Sequence, residues 1–264
     1  MNVRQLFSSP ALTISDVWCD PGPLPVSELE AEVAFGVSYP RAGVYVHRSS
    51  MGNVVVDPTV AVFRNRGDEH CTTHPTVDGD RNTDLQFPVE VVAPMLDSRD
   101  RFRVGAIPIS ELIAARHRRL LSIIRRGTSS ALEIEEEALA LVGSTHTLPP
   151  FPEVARHHGP IVDEARQYLA WRFRDDLDLV DIARAVGVSP FHLSRMFKRA
   201  TGRSLTEYRT ALRIRFVIDQ LTNGESDLGR IAVEAGFYDH AHMTNTVRRH
   251  LGTAPSKIRI WLAG

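Results

Sequence analysis

The sequence has 264 residues, a net charge of −1 at neutral pH, 43% hydrophobic and 24% charged side chains, and two cysteines. That balance belongs to globular chains of about two domains, and it excludes a mainly disordered polymer, a collagen-like fibre and a disulfide-built scaffold. No run approaches the roughly 18 apolar residues of a membrane helix, and the N-terminus MNVRQLFSSPALTISD lacks the features of a signal peptide, so a cytoplasmic address without membrane contact is expected.

In chain order, the first half predicts strands and then helices. Residues 44–48, 54–57, 61–64 and 83–87 are short and rich in Val, Phe and Tyr, and turn pairs such as Gly52-Asn53 and Asp78-Gly79 punctuate them. Such spacing suggests a small sheet or barrel. Residues 109–126 then predict a helix with the apolar stripe Leu112, Ala115, Leu120, Ile123 and Ile124, its arginines lying elsewhere. Residues 130–142 predict a second helix, apolar through Leu132, Ala138, Leu139 and Val142 and acidic at Glu133 and Glu135–Glu137. This helix pair is the candidate dimer surface. Residues 144–160 carry Pro149, Pro150, Pro152 and Pro160, which deny them a continuous helix and mark the domain boundary. The expected domains are 1–150 and 161–264.

The second half reads as helical and differs in charge. Residues 1–155 hold 14 arginines and no lysine against 20 acidic side chains, whereas residues 156–264 hold 17 basic against 12 acidic ones. A basic module joined to an acidic one hints at a polyanionic partner for the C-terminal part. That part also repeats. Residues 182–188, IARAVGV, recur 49 positions later as IAVEAGF, and after one extra residue the offset becomes 50, so that Gly202 matches Gly252 and Arg209 matches Arg259. Each copy predicts a helix, a tight turn at a glycine and a second helix. In the first, Ser189 is a natural N-cap with Pro190 at the first helical position, and Leu193, Met196, Phe197 and Ala200 face inward. This is the helix-turn-helix layout, whose second helix enters a DNA major groove. Phe191, Ser194, Arg195 and Arg199 fall on the outer side, although the stripe alone would also tolerate Phe191 inside.

At these residues a family resemblance becomes specific. DIARAVGVSPFHLSRMFKRATGRSLTEYR, residues 181–209, resembles the first helix-turn-helix of the AraC/XylS family of bacterial transcription regulators. IAVEAGFYDHAHMTNTVRRHLGTAPSKIR, residues 231–259, resembles the second, including Gly252, Pro255, Ser256 and Arg259 of its G-x-x-P-S-x-x-R ending. The stretches VHRSS and GDEH…HPTVDGD are similar to the cupin-like sensor half of the same family. The fold class implied is α+β: an N-terminal small β-barrel or cupin-like domain with a helical pair, then an all-α double helix-turn-helix domain. The resemblance implies a sequence-specific regulator that binds double-stranded promoter DNA through successive major grooves. A small-molecule effector and RNA polymerase are further implied partners, and either a monomer or a homodimer is compatible.

By the same resemblance Phe191, Ser194 and Arg195 touch bases from the first unit, and His240, Ala241 and Thr244 occupy the matching face of the second. Arg195 is the candidate for bidentate binding of guanine, with a solvated or phosphate-bound arginine as its plain alternative. Asn245 and Val247 stand where the family usually has Arg and Phe, so the second unit is expected to add phosphate contacts through Arg248 and Arg249 more than base readout. The predicted linker of residues 204–222, about 28 Å long as a helix, suits reading two grooves about one DNA turn apart.

In the first half, His47, His70, Cys71 and His74 are the only cluster with the chemistry of metal ligands. Their spacing matches no metal signature, and Asp68, Glu69, Asp78 and Asp80 read as turn formers. The expectation is therefore no catalytic residue, no metal and no cofactor. A metal-dependent cupin enzyme with a DNA-binding appendix is the alternative. An effector cavity is expected between Phe35 and Phe87.

Overall fold

The computed structural model describes every residue except 21, 23–25, 50–51, 99, 103–104, 151–158 and 264, so Pro152 of the proline-rich connector lies outside the described residues. The chain divides into two compact units, residues 1–109 with 123–150 and residues 110–122 with 151–264.

The first unit is built on the strands β1 (Asn2–Ser8), β2 (Thr13–Cys19), β3 (Glu30–Ala31), β4 (Phe35–Ala42), β5 (Tyr45–Ser49), β6 (Gly52–Val56), β7 (Val60–Arg64), β8 (Glu69–Thr73), β9 (Asp80–Phe87) and β10 (Ala106–Pro108). They form two antiparallel sheets, ordered β1-β2-β9-β4-β7-β10 and β3-β8-β5-β6, so this half is the β-sheet part of the expected α+β fold. The apolar filling is Leu12, Ile14, Val37, Tyr39, Val56, Phe63, Leu85 and Phe87. Strands β1 and β8 escape the periodicity argument because none of their residues is buried, and β2 and β4 because polar residues stand among their buried ones. Asp16 is buried in β2 and held by Arg4, Arg41 and Arg81, and Ser38 of β4 donates to Asp84 of β9 at 2.6 Å. An inward carboxylate answered by arginine satisfies the burial requirement without leaving an apolar alternation to read.

The short helix α1 (Val89–Val92) runs into a single 3₁₀ turn, and α3 (Ala131–His146) returns to the sheet. Helix α3 starts at a capping box between Ser130 and Glu133, and buries Ile134, Ala138, Leu141, Val142 and Thr145. Thr145 meets the Tyr39 hydroxyl at 2.8 Å. Leu132, which the sequence pattern puts on the apolar stripe, is 62% exposed because it lies in the first turn, ahead of that face.

Helix α2 (Glu111–Arg126) contributes residues up to Ser122 to the second unit. The rest of that unit is α4 (Gly159–Arg172), α5 (Leu179–Ala185), α6 (Pro190–Thr201), α7 (Leu205–Thr222), α8 (Leu228–Glu234), α9 (His240–Leu251) and α10 (Pro255–Ala263). Ile113, Ala114, Ala115, Leu120 and Leu121 of α2 are buried within the chain, and Ala115 joins a cluster with Ile214, Ile218 and Leu221 of α7. The charged side of α2 is also engaged. Glu111 accepts from Arg203 at 3.0 Å and Arg215 at 3.1 Å, and Arg118, 3% exposed, donates to Asp219 at 2.8 Å. Leu112, assigned by the pattern to the apolar stripe, is left outside.

Candidate nucleic-acid interface

The repeat seen in the sequence is a repeat of local geometry. Asp178 caps α5 and Asp227 caps α8, each accepting from the backbone N–H three residues on. Both turns contain a glycine of positive φ, Gly187 at 70° and Gly236 at 80°, and beside each the next residue's N–H closes on a helix carbonyl, Val188 on Ala183 and Phe237 on Ala232. Ser189 caps α6 and Asp239 caps α9, and both helices are 12 residues long and end on a left-handed glycine, Gly202 or Gly252. The matched arginines share a task that the sequence does not disclose. Arg209 donates to the Leu177 carbonyl at 2.6 Å and Arg259 to the Ser226 carbonyl at 3.1 Å, in each case the residue just before the capping aspartate. Each arginine thus ties the exit of its unit to the start.

The inward faces are those expected except at Met196, which is only half-buried. Leu193, Phe197 and Ala200 of α6 are buried, with Phe197 edge-on to Tyr208 of α7 at 5.3 Å. In α9, Met243, Thr246 and Val247 are buried. Val247 therefore belongs to the core, and its departure from the family pattern bears on packing and not on the reading face. Asn245 is exposed on that face.

The outer faces carry the predicted residues. Ser194, Arg195 and Arg199 of α6 are exposed, as are His240, Ala241, Asn245, Arg248 and Arg249 of α9, and Thr244 is half-buried with its hydroxyl 3.2 Å from His240 Nε2. Phe191 is 72% exposed, which removes the core reading of this ring, and the Arg195 guanidinium lies over it at 5.5 Å. Neither α6 nor α9 contains an acidic residue. Among the described residues, Arg195, Arg199, Arg248 and Arg249 have no ion pair, whereas Arg184 and Arg230 on the preceding helices are bound to Asp181 and to Glu225 and Glu234. A face of unpaired guanidiniums at two equivalent helices is the electrostatic form of a phosphate-binding surface. Tyr238, 90% exposed, was missed by the sequence reading. It is the extra residue that shifts the repeat offset from 49 to 50, and that insertion was the available signal.

Two helix-turn-helix units in tandem, each presenting a basic, acid-free second helix, define this half as a double helix-turn-helix module. A family model described as a helix-turn-helix domain matches residues 182–260. The thermoregulatory protein LcrF of Yersinia pestis is 28% identical over 158 residues, 58% of this chain and 58% of its own length. The multiple antibiotic resistance protein MarA of Salmonella typhimurium is 30% identical over 84 residues, 32% of this chain and 66% of its own. The solved C-terminal domain of AraT, a response regulator from Geobacillus stearothermophilus, is 31% identical with a TM-score of 0.38, over 39% of this chain and 85% of that one. Residues 182–260 are thus a helix-turn-helix domain similar to that of the AraC/XylS transcription regulators. The chain spans under two thirds of the length of LcrF and of MarA.

Proposed function

We propose that the chain is a sequence-specific DNA-binding transcription regulator acting in the cytoplasm, with no enzymatic activity of its own. Residues 161–264 bind promoter DNA, and residues 1–150 form a sensing or dimerising half. The observation that carries this reading is the pair of equivalent helices whose exposed arginines have no carboxylate partner. Helix α6 reads bases through Phe191, Ser194 and Arg195, with Arg199 at the phosphates. Helix α9 places His240, Ala241, Thr244 and Asn245 toward the groove and holds the backbone with Arg248 and Arg249. Helix α7, with 18 residues, is about 27 Å long, short of but close to one DNA turn of about 34 Å. A bipartite site of two successive major grooves on one duplex face fits this spacer. Control by a small effector in the first unit, or through a homodimer, and contact with RNA polymerase complete the reading.

The test is binding of the purified protein to DNA upstream of its own gene and to a scrambled duplex, across a salt series. A preference of about a thousandfold or more is expected. Equal, steeply salt-dependent binding to both duplexes, with no preferred sequence emerging from a random pool, would reject sequence-specific regulation in favour of phosphate-dominated attachment.

A further inference from the structure

The first unit contains a cavity of about 80 Å³ to which DNA binding gives no task, and His47, His70, His74, Asp80 and Asp84 are among its lining residues. The sequence cluster of His47, His70, Cys71 and His74 is only partly assembled there. His70 and Thr72 of β8 line the cavity, which by strand alternation turns Cys71 to the opposite face. A different thiol replaces it. Cys19 ends β2 and is the register partner of Asp80, the first residue of β9, while His74 follows β8 of the other sheet. Ligand atoms of Cys19, His74 and Asp80 all lie within 4.8 Å of one another.

Two further observations fit such a site. His74 Nδ1 is buried with no hydrogen-bond partner among the described residues, so it can carry the ring proton when Nε2 binds an ion. The carboxylate of Asp80 faces His74 Nε2 through Oδ2 at 2.6 Å and is held from behind by Asn82, whose Nδ2 donates to Oδ1 at 2.6 Å and whose Oδ1 accepts from the Tyr45 hydroxyl at 3.3 Å. Such outer support is how protein metal ligands are oriented.

We propose that Cys19, His74 and Asp80 form a site for a thiophilic divalent cation of the zinc class, with one coordination position left to water or another small ligand. A thiolate and a carboxylate neutralise a divalent charge, and a neutral imidazole completes three protein ligands, so the buried complex carries no net charge. The sulfur selects against magnesium and calcium. Bonds of about 2.0–2.3 Å put tetrahedral ligand atoms about 3.3–3.8 Å apart, within reach of side-chain rotation from the present separations. On binding, the ion takes the place of the proton between His74 Nε2 and Asp80 Oδ2, that ring proton moves to Nδ1, and the thiol proton of Cys19 passes to solvent, so one proton is released per ion. The consequence is a clamp between the two sheets.

Metal-free full-length protein dialysed against Zn²⁺ is expected to take up one ion per chain. Loading with Co²⁺ is expected to give thiolate-to-cobalt charge-transfer absorption that persists in Cys71→Ser and is absent in Cys19→Ser. His74→Ala and Asp80→Asn should weaken Zn²⁺ retention by more than tenfold, and Asn82→Ala by about tenfold. In the unsubstituted chain, where folding of a variant is not at issue, Zn²⁺ should protect Cys19 but not Cys71 from alkylation. Absence of stoichiometric uptake, charge-transfer absorption surviving in Cys19→Ser, or equal alkylation of Cys19 with and without Zn²⁺ overturns the site.

Discussion

The Arg195 guanidinium rests over the exposed ring of Phe191, and no carboxylate competes for it among the described residues. An arginine supported on an aromatic face keeps its donors directed outward while losing little freedom on binding, which suits bidentate recognition of a guanine. Arg195→Ala is expected to cost about 1–3 kcal/mol for the preferred duplex and far less for a scrambled one, measured by titration at fixed salt. Arg248→Ala should instead weaken both duplexes alike and lower the salt slope by about one. Tyr238 offers a separable test. Its ring is 90% exposed, so Tyr238→Ala should shift folding stability by no more than about 0.5 kcal/mol while reducing affinity for duplex DNA. Helical phase alone puts Ser194, Arg195, Arg248 and Arg249 on the outer side, where the structure leaves them exposed. It is undecided at Phe191 because that ring lies at the margin of the apolar stripe, and it passes over Tyr238 because a turn residue has no phase.

At the scale of the element, turn glycines and capping aspartates define each helix-turn-helix unit, and they are not equally constrained. A β-carbon at Gly202 meets nothing within 4 Å, so the cost of Gly202→Ala is that of its left-handed backbone, about 1 kcal/mol. At Gly236 a β-carbon would lie 2.2 Å from the Arg174 carbonyl oxygen, and the backbone there is also left-handed, with φ at 80°. Gly236→Ala should therefore be distinctly more destabilising, by at least about 2 kcal/mol on urea denaturation. The tie from Arg259 to the Ser226 carbonyl, like that from Arg209 to Leu177, was visible beforehand only as a matched position. Sequence comparison marks such a residue as repeated, but only the folded backbone shows that its partner is a carbonyl 33 residues away.

For the whole molecule, the most consequential electrostatic feature is Glu111. Burial alone would raise its carboxyl, but Arg215 and Arg203 outweigh that and hold its pKa at about 2, against 4.5 when unperturbed. A carboxylate with a lowered folded pKa contributes stability that is fully present above 4.5 and lost as pH falls toward about 2, here on the order of 3 kcal/mol. Urea denaturation through that window should show the loss. Glu111→Gln should flatten it and cost about 2–3 kcal/mol at neutral pH, since Arg215, 2% exposed, loses the charge of this carboxylate.

The C-terminal half was legible almost throughout, because its helices follow an apolar period and its caps are local. The N-terminal half was legible only where strands are apolar, at residues 44–48, 54–57, 61–64 and 83–87. The polar positions that line its cavity, from Cys19 to Asp84, have no sequence period, and their partners lie tens of residues apart. Asp80 shows the difficulty. Beside Gly79 it reads as a turn former, yet it is 8% exposed at the start of β9 and bonded to His74 and Asn82.

The duplication in the second unit is imperfect, and the imperfection gives the molecule a direction. One helix presents Arg195 on a phenylalanine, and the other presents Asn245 beyond an additional tyrosine. A chain with two unlike readers has a leading and a trailing end on a duplex. Turning its binding site around would exchange the two helices and lose the fit, so an asymmetric site bound by one chain fixes the order in which α6 and α9 meet the duplex.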